Sequence, residues 1–215
     1  MPPLTDRSRQ IALFHRYDQP AVNITAEAEC ADYTIAAKQA GIPPFALMLH
    51  AIGRASLEIE NFRLRLLDGV VNRVEVLTLG YTVLGPGDNL NFSSVAYQAD
   101  RMGFVQDYLA DRALARAATE LRMLPMTHRD YLFTTCMPWL RFTAIQHPMA
   151  RFGDCSIPNI AVGRFDRTGG RLRFPLAVQA HHGLVDGIHI HRFITRVQDI
   201  LGEIADNPGL LTPRA

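Results

Sequence analysis

Cysteine is scarce and badly spaced for structural work: Cys30, Cys136 and Cys155 are three, an odd number, spread over the 215-residue chain. They form neither a disulfide framework nor a zinc spacing, so a reducing compartment is expected, the cytoplasm first. Long hydrophobic runs are absent too. The most apolar stretch, Pro43 to Leu49, is interrupted by His50 and falls far short of a membrane span. The first residues carry Asp6, Arg7 and Arg9 and have no apolar core, which argues against a signal peptide. Charge of one sign is also lacking. A formal net charge of +1 gives no basic field for nucleic acid, so neither nucleic acid nor membrane is an expected partner. No repeat, low-complexity tract, linker or glycine-rich dinucleotide fingerprint interrupts the sequence.

What remains is ordinary for a soluble enzyme, with 48% hydrophobic and 20% charged residues. Residues 1–215 suit one domain able to bury most of its apolar surface. Alternation predicts strands at Val22–Cys30, Phe62–Leu66, Val74–Thr78, Tyr81–Leu84 and Asn91–Tyr97. Further short strands are expected at Leu132–Cys136, Trp139–Ile145 and Ile160–Phe165. Asp32 should cap a short helix ending at Gly41, and Pro43-Pro44 should open a buried helix. Asp68-Gly69 and Gly85-Pro86-Gly87-Asp88 read as turns, and Met102 to Leu121 as an alanine-rich helix. Strands and helices interleave without a regular βαβ repeat. The expected fold is α/β, a two-layer sandwich on a mixed β-sheet.

The most informative stretch is His181-His182-Gly183-Leu184-Val185-Asp186-Gly187. Before it, Leu172, Phe174, Leu176, Val178 and Ala180 alternate as one face of a strand. His182 has their parity and should point to the same face, with His181 and Gln179 pointing away. After Gly187, Ile190, Phe193, Ile194, Val197, Ile200, Leu201 and Ile204 recur at helical spacing. Strand, tight turn and amphipathic helix would hold an imidazole in one pose at the mouth of a cleft. Neutral imidazole, with an unperturbed pKa near ~6.5, suits a general base. A rival arrangement, a metal held by His182, Asp186 and His189, uses ligand types that fit zinc or iron but would occupy the lone pair a base needs.

The block Gln179-Ala180-His181-His182-Gly183-Leu184-Val185-Asp186-Gly187-Ile188-His189 resembles that of the chloramphenicol acetyltransferase family. Phe62-Arg63-Leu64-Arg65, Asp68-Gly69, Tyr81-Thr82-Val83, Asn91-Phe92-Ser93-Ser94, Met137-Pro138-Trp139 and Pro158 follow the family's order, so the resemblance spans the chain. It implies a trimer with active sites between subunits. It also implies acetyl-CoA as co-substrate, no tightly bound cofactor or metal, and direct transfer to a small hydroxylated acceptor such as chloramphenicol. His182 would be the general base and Thr135 the oxyanion hydroxyl, a threonine where the family has serine. Asp186 would pair with Arg7 (Arg9 as the fallback) in a buried ion pair that holds the site's shape. Arg164 would attract coenzyme A phosphates, and Phe14 and Gln179 would line the acceptor pocket. Thr5, Gly41, Phe133 and Ala161 depart from the family's residues. Those departures leave room for a second reading, a coenzyme A-binding trimer without turnover or with another acceptor.

Overall fold

The computed structural model describes residues 6–123, 130–149 and 156–212; Thr5 and Cys155 lie outside them. In chain order the elements are α1 (Ser8–Phe14), β1 (Ala21–Ala31), α2 (Tyr33–Gln39), α3 (Pro44–Glu58), α4 (Glu60–Arg63), β2 (Leu64–Leu67), β3 (Val70–Arg73), β4 (Thr78–Leu84) and β5 (Leu90–Ala96). Then come α5 (Arg101–Ala117), β6 (Tyr131–Cys136), β7 (Asn159–Val162), β8 (Asp166–Thr168), β9 (Arg171–His181) and α6 (Gly187–Asp206). Seven strands form one sheet in the order β1-β9-β7-β6-β4-β5, with β8 paired to β9. The β4–β6 and β6–β7 ladders are parallel and the others antiparallel, so the sheet is mixed as expected.

The helices cover one face. Alternate residues Leu172, Phe174, Leu176 and Val178 of β9 are buried, as are Leu79, Tyr81 and Val83 of β4, in a core shared with α3 and α6. The amphipathic α6 buries Ile190, Phe193, Val197, Ile200, Leu201 and Ile204. Helix α3 begins with Pro44 at its first turn and is buried nearly all round, from Ala46 to Ser56. At roughly 25 cal/mol per Å² of apolar surface removed from water, these two helices supply much of the force holding the layers together. Asp32 caps α2 by accepting the Thr34 amide, and Gly41 follows with φ +69, the left-handed conformation that glycine adopts at least cost. β2 and β3 form a separate hairpin whose Asp68-Gly69 turn has both residues at positive φ.

Several boundaries move. Phe62 lies in α4, so the hairpin starts at Leu64. Residues 74–77 are irregular and β4 begins at Thr78. Helix α5 stops at Ala117 rather than Leu121, because buried Asn91 donates its side-chain amide to the Ala115 and Ala118 carbonyls and closes the last turn. β7 ends at Val162 rather than Phe165, and Asp166–Thr168 forms the short strand β8. The expected strand Trp139–Ile145 is irregular chain. Its polar groups go to side chains and loops instead of a ladder: the Leu140 carbonyl accepts the Arg164 amide, the Ile145 carbonyl accepts from the Asn23 side chain, and Arg141 pairs with Glu27.

Candidate functional site

Strand β9 ends at His181, and the chain turns sharply through His182–Asp186 into α6. The strand's alternation therefore ends one residue short of His182. His181 is the buried histidine at 1% exposure, with Nδ1 accepting the Gly183 amide, whereas the His182 side chain is 31% exposed. A Cβ on Gly183 would lie 2.9 Å from the His181 ring and 3.0 Å from the Ile11 Cα, so this turn needs glycine.

Arg7, 7% exposed, organises the turn. Its NH1 meets Asp186 Oδ2 at 2.7 Å, its Nε donates to the Gly183 carbonyl at 2.9 Å, and its NH2 donates to the His182 carbonyl at 3.3 Å. The choice between Arg7 and Arg9 falls to Arg7. The pair is only partly buried, because the Asp186 side chain is a third exposed. The guanidinium holds the Asp186 carboxyl below its usual range, against burial that pushes it up. Asn61 Nδ2 grips the Leu184 carbonyl at 2.7 Å, and the His182 amide donates to Pro20 at 2.7 Å.

These anchors present one imidazole. His182 Nδ1 is closed off from solvent and stands 3.3 Å from Asp186 Oδ1, without hydrogen-bond alignment. Nε2 is left as the nitrogen on the open side. The Phe14 ring stacks on the imidazole at a centroid distance of 4.0 Å and 14° between planes. His189 accepts the Asp186 amide at Nδ1 (2.9 Å), which spends that lone pair on capping α6. Among the described residues no group of three or more His, Cys, Asp or Glu is placed to hold a metal ion.

Thr135 lies elsewhere. It pairs with Ala161 on β7, which is level with Ala177 on β9. His182 is thus five residues further along β9 and two strands across, roughly 19 Å away at ~3.3 Å per residue and ~4.8 Å per strand. The two cannot act together within one chain. The Thr135 hydroxyl makes no hydrogen bond to another described residue, and two cavities meet at it. One, of about 340 Å³, is walled by Thr82, Leu90, Phe92, Phe133, His147 and Asn159. The other, of about 490 Å³, is walled by Pro43, Phe45, Leu84, Arg112, Arg116 and Trp139.

Gln179 is 2% exposed and lies behind the first cavity. Its amide clamps the His147 backbone, accepting the N–H at 2.8 Å and donating to the carbonyl at 3.2 Å, so it positions the cavity wall and has little left for a ligand. Arg164 is half exposed and paired with Asp166 at 3.2 Å. Phe133 stacks on Tyr131, and Ala161 is fully buried. Burial pushes the Cys136 thiol up to about 12, which rules out a thiolate nucleophile beside Thr135. Sequence reasoning passed over Arg112, Arg116 and His147. The available signal was two arginines one helical turn apart with no carboxylate at pairing distance within α5.

A chloramphenicol acetyltransferase family model matches residues 4–198. Chloramphenicol acetyltransferase 3 of Escherichia coli is 27% identical over 158 residues, 73% of this chain and 74% of that protein. Chloramphenicol acetyltransferase of Proteus mirabilis is 24% identical over 200 residues, covering 92% and 91%. A solved chloramphenicol acetyltransferase superposes with a TM-score of 0.80 at 25% identity, covering 92% of this chain and 96% of that one. A dihydrolipoamide acetyltransferase of Azotobacter vinelandii, at 19% identity and TM-score 0.65, shares the fold.

Proposed function

The chain belongs to the chloramphenicol acetyltransferase family, and from that premise we propose that it moves the acetyl group of acetyl-CoA directly onto a hydroxyl of a small acceptor, chloramphenicol being the first to try. The observation that carries the reading is the unengaged Thr135 hydroxyl where two cavities meet, one on each side for two substrates.

The division of labour follows from the geometry. With a proton on Nδ1 beside Asp186, His182 offers its Nε2 lone pair to the acceptor hydroxyl. As that oxygen attacks the thioester carbonyl, its proton passes to Nε2, a contribution of ~10²–10⁴ in rate. Negative charge gathers on the carbonyl oxygen, where the Thr135 hydroxyl donates. Collapse expels the coenzyme A thiolate, which takes the proton from the imidazolium. Since His182 and Thr135 are far apart in one chain, the reaction needs His182 of one subunit facing Thr135 of the next. A homotrimer closes such a heterologous contact. Arg7 and Asp186 hold the turn and take no proton. The cytoplasm, where acetyl-CoA is made and used, is the expected compartment. No described helix is long and apolar enough to cross a membrane.

A second reading rests on Gly41, Phe133 and Ala161, where supporting positions differ from the family: the trimer binds coenzyme A but has another acceptor, or none. Thiol release from acetyl-CoA with chloramphenicol, run beside His182→Ala, separates the two. Turnover that drops by at least ~100-fold in the variant is the expected result. Equal turnover in both proteins would overturn the assignment of the base. Coenzyme A binding without release on any hydroxylated acceptor would favour the second reading.

A further inference from the structure

Coenzyme A carries phosphate groups, and the cation expected for them from the sequence, Arg164, already faces Asp166. Other arginines are similarly committed. Arg141 pairs with Glu27 and Asp166, and Arg122 with Asp111. Arg112 and Arg116 differ, since neither makes an ion pair or hydrogen bond with another described residue. They stand one turn apart on α5, on the same helix face. Both line the 490 Å³ cavity that Thr135 also lines, and no Asp or Glu is among the residues of its wall. Trp139, 58% exposed, and Phe45 with Pro43 and Pro44 supply the apolar part. A cavity with a free hydroxyl, an apolar wall and two uncompensated guanidinium groups suits one kind of ligand: a long, partly apolar thioester ending in phosphates.

We propose that Arg112 and Arg116 hold the phosphate groups of coenzyme A, in place of Arg164, while the thioester reaches Thr135 along the Trp139 and Phe45 wall. Guanidinium groups bind phosphate oxygens through paired charge-assisted hydrogen bonds. The inference rests on the acetyl-transfer reading.

The test is calorimetric titration of coenzyme A into the wild type, Arg112→Gln/Arg116→Gln and Arg164→Gln. Thiol release from acetyl-CoA and from the phosphate-free S-acetyl-N-acetylcysteamine is measured in parallel. The double variant should bind coenzyme A roughly 10- to 100-fold more weakly, about tenfold per lost charged contact. Its KM for acetyl-CoA should rise accordingly, with kcat and turnover of the phosphate-free thioester unchanged. Arg164→Gln should bind within about twofold of wild type, as expected for an exposed paired cation. Should the double variant melt early, Arg112→Lys/Arg116→Lys, which keeps the charge, must retain most of the affinity. Wild-type affinity in the double variant, or a large loss confined to Arg164→Gln, overturns the inference. Loss of coenzyme A binding in the double variant, with no turnover in any protein, would leave the inference standing and remove the transferase reading.

Discussion

The His182 end and the Thr135 end of this molecule are built on opposite plans. At the His182 end, the five residues His182–Asp186 form the turn, and Arg7, Asn61 and Pro20 fasten it through side-chain and backbone hydrogen bonds. At the Thr135 end, side chains from α3, β4, α5, β6 and the turn after β6 surround open space, and the central hydroxyl is unengaged. One end is fastened from several sides, and the other is open. A base must keep its pose through the reaction, whereas a binding wall must fit molecules that come and go. Strand spacing puts roughly 19 Å between the two ends, which is why the proposed reaction joins them across two subunits.

The sharpest way to break this comparison is to disable each end in a different chain. Thr135→Val, which removes the hydroxyl and keeps the shape, should lower turnover by ~10²–10³. Thr135→Ser should stay near wild type. His182→Ala and Thr135→Val chains, unfolded and refolded together in equal amounts, should recover activity that neither has alone. With sites shared between adjacent subunits, about a quarter of them in a randomly mixed trimer combine an intact histidine with an intact threonine. Thiol release after mixing reads this directly. No recovery in mixed oligomers would mean that the two residues do not share a site.

The same contrast governs what could be read from the sequence. The His182 end was legible because its signals are local. Period-two alternation in β9, the glycine turn and the helical recurrence of α6 lie within 36 residues, from Arg171 to Asp206. Even there the alternation carries no information past its last ladder pair, and His181, one residue before His182, is that residue. Arg7 was reached through the resemblance, since nothing local links it to a carboxylate 179 residues away. The Thr135 end is made by pairing between segments distant in sequence. Trp139–Ile145 alternates like a strand, yet its backbone and side chains bond to Asn23, Glu27 and the Arg164 amide, and Gln179 ties down His147 just beyond it. Arg112 and Arg116 look like any solvated helix cations until β6 and α3 place a cavity beside them.

Acid should separate the core of α3 from the Arg7–Asp186 pair, with α3 responding first. His50 of α3 is 2% exposed between the Tyr97 and Phe104 rings. Burial, helped by the nearby charge of Arg101, pushes its imidazole down to about 4. The unfolded chain takes up a proton near the ordinary value of ~6.5. Stability is therefore full above that value and declines as pH falls from there to about 4, where the folded form also protonates. A loss of up to about 3 kcal/mol across the window is expected, at ~1.36 kcal/mol per pH unit between the two values. His50→Leu should flatten it, as read by urea unfolding at stepped pH. An unchanged slope in that variant would show that His50 does not set it.

The smallest effect belongs to the ion pair at the His182 end, in a lower window. Arg7 holds the Asp186 carboxyl below its usual range, so the pair contributes fully above the ordinary carboxylate value of ~3.9. That contribution is lost as pH falls through the lowered folded value. Because the Asp186 side chain is a third exposed, solvent screens the pair, and Asp186→Asn should cost about 1–2 kcal/mol at neutral pH, less than the ~3–5 typical of a fully buried partner. The variant should unfold with a shallower pH dependence below pH ~4 and an unchanged one above it. Turnover should fall by more than the stability loss explains, since the Gly183 and His182 carbonyls are held by the same guanidinium. Asp186→Asn with full stability and full turnover would make the pair an ornament of the surface, and the contrast between a fixed end and an open end would lose its main support.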